Sequence, residues 1–473
     1  MADEKWDPLA FFQRADFRWV ERFDASDGGI AEHIIEVLAE EAPGTLVRDR
    51  GEYRYHNLFR SGPGWHQISD ESMSAIIAAF HGKVVQTGVD EEGRPTYVRI
   101  KMTGGRMRSI RDLLCARTTQ MGFFDDAQSG AAFSNCLVHA TESGQIVLVP
   151  HKPEHRTYAE HLRDYAFQRF DPGTKFNCPR FKAMIRQWWG SGPEAVAKAR
   201  FFLQYIGTAL LMEAYRYRIN PILLGPKGTG KSTLLRIVED LWPAGAASSV
   251  PFHQMSQQFG AQQLIHAQIN IVTELSDQPI PDAARVKGMM TGDKTQVDQK
   301  YKAPVLFRPK MGHIVAANPP LPPVADAALR DRFVIISFSR VLKKKDPMAY
   351  ERVREEIPEI TRWALSVAIS GPFKRGLGHA TFDIPESSRL ADRDWREDSD
   401  SVGAWMETNT KPGGFTPVDD LFSDYKLFCA TDDQRPVTRV WFGRQLQRYG
   451  VRQCRPRKKD GSRLRGYELT LKD

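Results

Sequence analysis

Gly225-Pro226-Lys227-Gly228-Thr229-Gly230-Lys231-Ser232-Thr233, GPKGTGKST in one-letter code, satisfies the pattern GxxxxGK[ST] at every fixed position. A loop that wraps a triphosphate turns its backbone N–H groups inward, and Gly225, Gly228 and Gly230 permit this because glycine tolerates positive φ. Lys231 then reaches the β and γ phosphates, and the Ser232 hydroxyl ligates Mg²⁺. The flanks fit. INPILL (219–224) is a short apolar run of the buried-strand kind, and STLLRIVEDL (232–241) repeats Leu234, Leu235, Val238 and Leu241 at helical spacing. Strand, loop and helix N-terminus in that order aim the helix dipole at a phosphate, which a chance glycine-rich turn would not require. The expected fold is α/β, a parallel central sheet flanked by helices, with ATP and Mg²⁺ as its ligands.

Downstream, QINIVTEL (268–275) is a second apolar strand that ends at Glu274, the position of a carboxylate that polarises the attacking water. The residue before it is Thr273, where many such ATPases carry an acid that helps to hold the metal. Either Glu274 serves both roles or Asp277 assists, and Ser232 is the metal ligand that the pattern itself supplies. The plain alternative for Glu274 is a solvated strand end. GHIVAAN (312–318) is a third strand, closing on Asn318; this amide either orients the water and meets the γ phosphate or turns the chain before Pro319. In AALRDRFVIISF (327–338), Arg330 and Arg332 precede a β-branched strand. An arginine there reaches the γ phosphate of a neighbouring subunit as an arginine finger, with Arg332 the nearer to the strand and Arg330 a nucleotide sensor or salt-bridge partner. A finger acting between subunits requires a closed ring.

Between these strands, KGMMTGDKTQVDQKYKAPVL (287–306) carries a Gly292-Asp293 turn followed by Lys294, Lys300, Tyr301 and Lys302. Two readings stand: a hairpin that grips the phosphates of a single strand with little sequence preference, or an ordinary hairpin with a solvated face.

A chain of 473 residues predicts two to four domains. No run approaches the ~18 apolar residues that span a bilayer, and MADEKWDPLAFF at the start is too acidic and broken for a secretion signal. A cytoplasmic protein without membrane partners is expected. Cys115, Cys136, Cys178, Cys429 and Cys454 are far apart and form no CxxC pair, which argues against a disulfide framework or a zinc site.

The net charge of +8 is concentrated at the end of the chain, where twelve Lys/Arg face three acids from Arg435 to Asp473. Such density suits a polyanion, most simply nucleic acid, although basic runs also serve solubility. Residues 418–430 and 437–449 read as two short amphipathic helices, and Lys459-Asp460-Gly461 is a turn before a strand with Tyr467, Leu469 and Leu471 on one face. Helix, helix and basic hairpin is how a winged helix ends. Arg439, Arg444 and Arg448 would face a groove, and Arg457, Lys458, Lys459, Arg463 and Arg465 would meet phosphates. The expected division is an α/β domain over 1–190, with a boundary at the Gly/Pro punctuation of 190–193, the ATPase core with its leading helices over 191–370, a polar linker or solvated helix over 371–400, and the basic winged helix over 401–473.

As a set, GPKGTGKST, QINIVTEL, KGMMTGDK with KYKAP, IVAANPPLPP and LRDRFVIISF resemble the superfamily 3 helicases, in particular the helicase portion of phage and plasmid primase-helicases, relatives of the poxvirus primase-helicases. FSNCLVHATESGQIVLVPHKPEH (133–155) with FDPGTKFNCPRF (170–181) looks like the small domain that precedes their ATPase. The resemblance implies an AAA+-like P-loop core in a homo-hexameric ring, ATP-driven movement 3′ to 5′ along single-stranded or forked DNA in a bacterial host cytoplasm, and a primase on a separate chain. A rival expectation is a DNA-binding replication initiator or regulator whose ATPase is an assembly switch, and Thr273 keeps it open. A packaging motor, which would need a nuclease partner, is a weaker third.

Overall fold

The computed structural model describes residues 6–13, 24–39, 44–141, 143–171, 173–275, 280, 282–300, 302–319, 321, 326–342, 346, 348–378, 381–398, 401–431, 436–456 and 464–472. A first unit is built from α1 (Pro8–Gln13), α2 (Asp27–Leu38), β1 (Leu46–Asp49), β2 (Glu52–Tyr55), α3 (Leu58–Ser61), β3 (His66–Ile68), α4 (Asp70–Ala78), β4 (Val84–Val89), β5 (Pro95–Arg99) and α5 (Gly104–Thr118). Its strands form an antiparallel sheet β1-β2-β3 and a separate hairpin β4-β5. Ile30, Ile34 and Leu38 of α2 share a core with Ile76, Phe80, Ile110 and Leu114, the spacing that an amphipathic helix requires.

A small antiparallel sheet follows, β6 (Ala131–Ala132), β7 (Leu137–Ala140) and β8 (Ile146–Val149), and then α6 (Pro179–Trp189) and α7 (Pro193–Leu210). The central region holds β9 (Asn220–Leu224), α8 (Lys231–Glu239), β10 (Ala247–Ser248), α9 (Phe252–Met255), β11 (Ile269–Val272), α10 (Ala283–Thr291), β12 (Thr295–Gln299), β13 (Lys302–Phe307), β14 (Gly312–Ala317), α11 (Ala327–Arg330) and β15 (Phe333–Ser337). Five of these strands make one parallel sheet in the order β10-β11-β14-β9-β15, so the expected parallel sheet with flanking helices is present. Because strand side chains alternate between faces, Leu223, Ile271, Ile314 and Ile336 enter a core with α6 and α7, while Ile222, Val272, Val315 and Ile335 enter a second with α10 and the β12-β13 hairpin.

The Gly/Pro punctuation at 190–193 lies inside the first of these cores. Gly190, at φ 96°, ends α6, and Pro193 opens α7 at the first helical turn, where its missing N–H costs nothing. Phe133, Val138 and Trp188 on one side of this corner pack with Phe201, Ile206 and Leu365 on the other. The same glycine and proline chemistry serves a helix-to-helix turn as well as a linker.

After β15 come α12 (Ala349–Arg354), α13 (Ile357–Ala368) and α14 (Glu386–Asp398). The helix α14 falls where a linker or solvated helix is expected; its Trp395 is buried against Phe333 of the sheet. α13 lies on α7 so closely that a Cβ at Gly207 would stand 2.3 Å from the Ala364 carbonyl oxygen and 2.6 Å from the Ala368 Cβ. Gly207→Ala must therefore push the helices apart and should cost about 1–3 kcal/mol. Denaturant melting checks this; an unchanged midpoint would mean that the helices do not meet at Gly207.

The last unit runs α15 (Ser401–Asn409), β16 (Thr410–Pro417), α16 (Val418–Thr431), α17 (Arg439–Arg448), β17 (Gln453–Cys454) and β18 (Gly466–Leu471), with antiparallel order β16-β18-β17. Trp405, Tyr425, Phe442 and Tyr467 form its core. No described helix is long and apolar enough to cross a membrane.

Candidate active site

Parallel strands bring the carboxyl ends of β9, β11 and β14 to one edge of the sheet, where ligands of such sheets bind. The Gly225–Thr233 loop leaves β9 there and enters α8 with Gly230 at φ 97°. A side chain at Gly230 would be strained by that φ and would also strike Trp188, whose Nε1 lies 2.1 Å from the ideal Cβ position. The loop is tied to the rest of the site by Gly225 N–H donating to Ala317 O at 3.2 Å and Leu342 N–H donating to Gly228 O at 3.1 Å. Lys231, buried, donates from Nζ to Gly225 O, to Pro226 O at 3.0 Å and to Asn318 Oδ1 at 3.2 Å. Burial lowers its pKa from the usual lysine value, since every one of these partners is a neutral oxygen. An ammonium so placed gains from any anion that replaces them.

Thr273 and Glu274 follow β11, both exposed, and Leu275 N–H donates to Ala316 O at 2.8 Å, pinning this segment beside the strand that ends at Asn318. Lys227 to Thr233, Thr273, Glu274 and Asn318 thus line one groove of about 1030 Å³, ample for a nucleotide. Ser232 is exposed on its floor. Among the described residues no cluster of His, Cys, Asp or Glu could cage a metal by itself. A hydroxyl with one nearby carboxylate suits Mg²⁺, which is commonly held by one or two side-chain oxygens together with substrate phosphates. Asp277 lies outside the described residues.

The remaining wall comes from elements that the motifs do not signal. Met184 and Trp188 project from α6, whose first N–H groups are accepted by the Glu356 carboxylate, from Arg180 at 3.0 Å and Phe181 at 2.9 Å. A carboxylate at a helix N-terminus complements its dipole, so Glu356 fixes α6 against the start of α13. Opposite, Arg236 of α8 stacks 3.7 Å over the ring of Tyr350, whose hydroxyl donates to Asp240 at 2.6 Å. The only signal for Trp188 was helical apolar spacing, which marks a buried face without naming what it covers.

Arg330 and Arg332 are not in this groove. Arg332 O accepts from Asn220 N–H at 2.8 Å, at the amino end of β9, which is one strand length, about 16 Å, from Gly225. The Arg332 guanidinium donates to Ala328 O, and burial together with the adjacent Arg218 lowers its pKa.

The β12-β13 hairpin carries Lys294, Lys300 and Lys302, all exposed; Tyr301 lies outside the described residues. Lys302 pairs with Glu52 of the first unit at 3.6 Å, and Arg50 donates to Leu306 O at 3.2 Å. In the last unit Arg439, Arg444 and Arg465 are exposed, and Arg439 pairs with Asp419. Arg457, Lys458, Lys459 and Arg463 lie outside the described residues, as does the side chain of Arg448.

A family model described as a family of unknown function (DUF5906) matches residues 223–332, the span from the end of β9 to Arg332. No curated protein matches the chain. Among solved structures, an A-form apo structure of the NrS-1 C-terminal region is similar at 13% identity, covering 94% of this chain and 100% of that one with a TM-score of 0.45. Another apo structure of the NrS-1 C-terminal region is similar at 16% identity, covering 64% of this chain and 78% of that one with a TM-score of 0.38.

Proposed function

We propose that the chain is a Mg²⁺-dependent ATPase of the superfamily 3 helicase kind, assembled as a hexameric ring that moves along single-stranded or forked DNA during replication of a mobile element. The observation that carries this reading is the hydrogen bond between Lys231 and Asn318 in a groove that also holds Ser232 and Glu274. In this reading Lys231 and the loop amides hold the phosphates, Ser232 holds the metal, Glu274 activates water and Asn318 positions it. Arg332, with Arg330 beside it, serves the neighbouring subunit's site, because its own lies a strand length away. The hairpin lysines grip the strand. The helix-strand-helix-helix-hairpin order of 401–473 supports a winged helix that offers Arg439, Arg444 and Arg465 to DNA phosphates.

Lys231→Ala should lower ATP turnover by about 10²–10³-fold, the usual effect of deleting one charge-stabilising donor, and leave DNA binding through the last unit in place. Fork unwinding by Lys231→Ala at the wild-type rate would sink the mechanism. Thr273, exposed where a second acid would stand, favours the other reading, an initiator whose ATPase only switches assembly. That reading requires no strand displacement with ATP, as with a non-hydrolysable analogue; displacement that depends on hydrolysis excludes it.

A further inference from the structure

Five non-glycine residues hold positive φ among the described residues, and three of them, Arg50 (φ 51°), Arg156 (φ 53°) and Met212 (φ 57°), line one cavity of about 110 Å³. Backbone held in this region is strained, and such strain concentrates where a site needs it. The cavity lies where the first unit, the small sheet and the foot of the β12-β13 hairpin meet.

Its wall carries four cations, Arg50, Arg156, Arg308 and Lys310, against one carboxylate, Asp125, which pairs with Arg50. Arg156 donates to Phe123 O at 2.6 Å and has Asp126 at 3.8 Å. Lys310 donates to Ala127 O at 3.0 Å, and neither it nor Arg308 has a carboxylate within ion-pair distance among the described residues. Three buried polar atoms of the wall, Gln268 Oε1, Thr157 Oγ1 and His266 Nδ1, have no hydrogen-bond partner among the described residues, and Gln268 is only 6% exposed. Orphaned polar atoms in a roomy, cationic cavity call for an occupant that accepts and donates.

From this geometry we infer that the cavity is a phosphate-recognition site, distinct from the Gly225–Thr233 loop. Guanidinium forks and an ammonium converging on a small space match the tetrahedral, multiply charged phosphate group better than a carboxylate. The group comes as a free phosphate anion, which keeps an O–H that can donate to Gln268 Oε1, or as a backbone phosphodiester of a strand lying on the hairpin, which meets only the donors, since β13 runs directly into Arg308 and Lys310. The site goes beyond the nucleotide reading and does not rest on it.

The test uses the full chain carrying Lys231→Ala, which disables the other phosphate loop, with and without Arg308→Ala and Lys310→Gln. In one arm, melting is followed in inorganic phosphate against chloride at equal ionic strength. A free-anion site gives a rise of about 2 °C that the added substitutions abolish. In the other arm, oligo-dT affinity is followed against salt by fluorescence anisotropy. A strand site gives a slope of log affinity on log salt that flattens by roughly 1.4 when both cations are removed. Arg308 is exposed, so Arg308→Ala alone, checked by its unchanged melting in chloride, separates the site from an effect on folding. If neither the phosphate-induced rise nor the salt slope differs between parent and variants, the proposal is overturned.

Discussion

Replacing Arg332 by alanine is expected to lower ATP turnover by about 10³–10⁵-fold, the range that an arginine finger supplies by stabilising charge in phosphoryl transfer. Geometry, not motif, makes this the largest effect. Arg332 stands at the amino edge of the sheet while the Gly225–Thr233 loop stands at the carboxyl edge, and parallel strands leave no route by which the side chain could fold back. Its guanidinium is partly buried, beside Arg218, with Nε lacking a hydrogen-bond partner among the described residues. Asp326, Asp293 and Asp331 offset part of the burial and of the Arg218 repulsion, and an anion reaching that Nε would add to the compensation.

Mixing Arg332→Ala with Lys231→Ala provides the sharper measurement. On the proposed reading each variant alone is slowed by its own factor, but in a ring mixed from equal amounts about a quarter of head-to-tail interfaces join an intact loop to an intact arginine. Turnover should recover toward that fraction. No recovery at any ratio would show that the two residues do not share a site.

Between pH 6.5 and about 4 the fold is expected to lose roughly 3 kcal/mol for each of His161 and His313. Burial, the largest cause for both, drives their pKa down to about 4 from 6.5. Glu160 and the hydrogen bond to His266 O, 2.9 Å from its Nε2, oppose the shift of His161, while the charges of the His266 ring and of Arg54 add to it. His313 lies on β14 within the sheet, its Nδ1 3.3 Å from Asn270 Nδ2 on the neighbouring β11. Both imidazoles are neutral in the folded chain and take a proton near 6.5 once unfolded. Below 6.5 the unfolded chain therefore binds more protons, and stability falls with pH until the folded chain protonates as well. Urea titrations from pH 7 to 4.5 measure this; a flat unfolding free energy would show that the histidines are not held neutral.

The strand-loop-helix around Lys231 was legible because glycine, lysine and hydroxyl occupy fixed positions and both flanks have unambiguous periods. Asn318 was legible as a strand end, and the structure adds its hydrogen bond to Lys231. Trp188 and Tyr350 were not, since an aromatic at helical spacing declares burial but not its neighbour, and both reach the groove from segments remote from the loop. The corner at 190–193 shows a related limit. Gly and Pro report a local change of backbone direction, and only the shared packing of Phe133 and Trp188 with Phe201 shows that one core continues through it. Trp395 likewise turns an acidic, polar stretch into a helix that covers the sheet.

The contact between Lys302 and Glu52 sets how the Lys302 side chain rests on the first unit. The pair is 3.6 Å long, with the lysine 54% exposed, and surface pairs of this kind are worth about 0.2–1 kcal/mol. That energy favours the Lys302–Glu52 contact over its broken form by at most about fivefold, while Arg50 donating to Leu306 O and the buried Val297, Val305 and Phe307 hold the hairpin itself. A strand phosphate offering Lys302 equal attraction displaces Glu52 without a lock to break. On the proposed reading, Glu52 therefore acts as a light detent on the Lys302 side chain, one that orients it before a strand arrives but adds almost nothing to the work of releasing it.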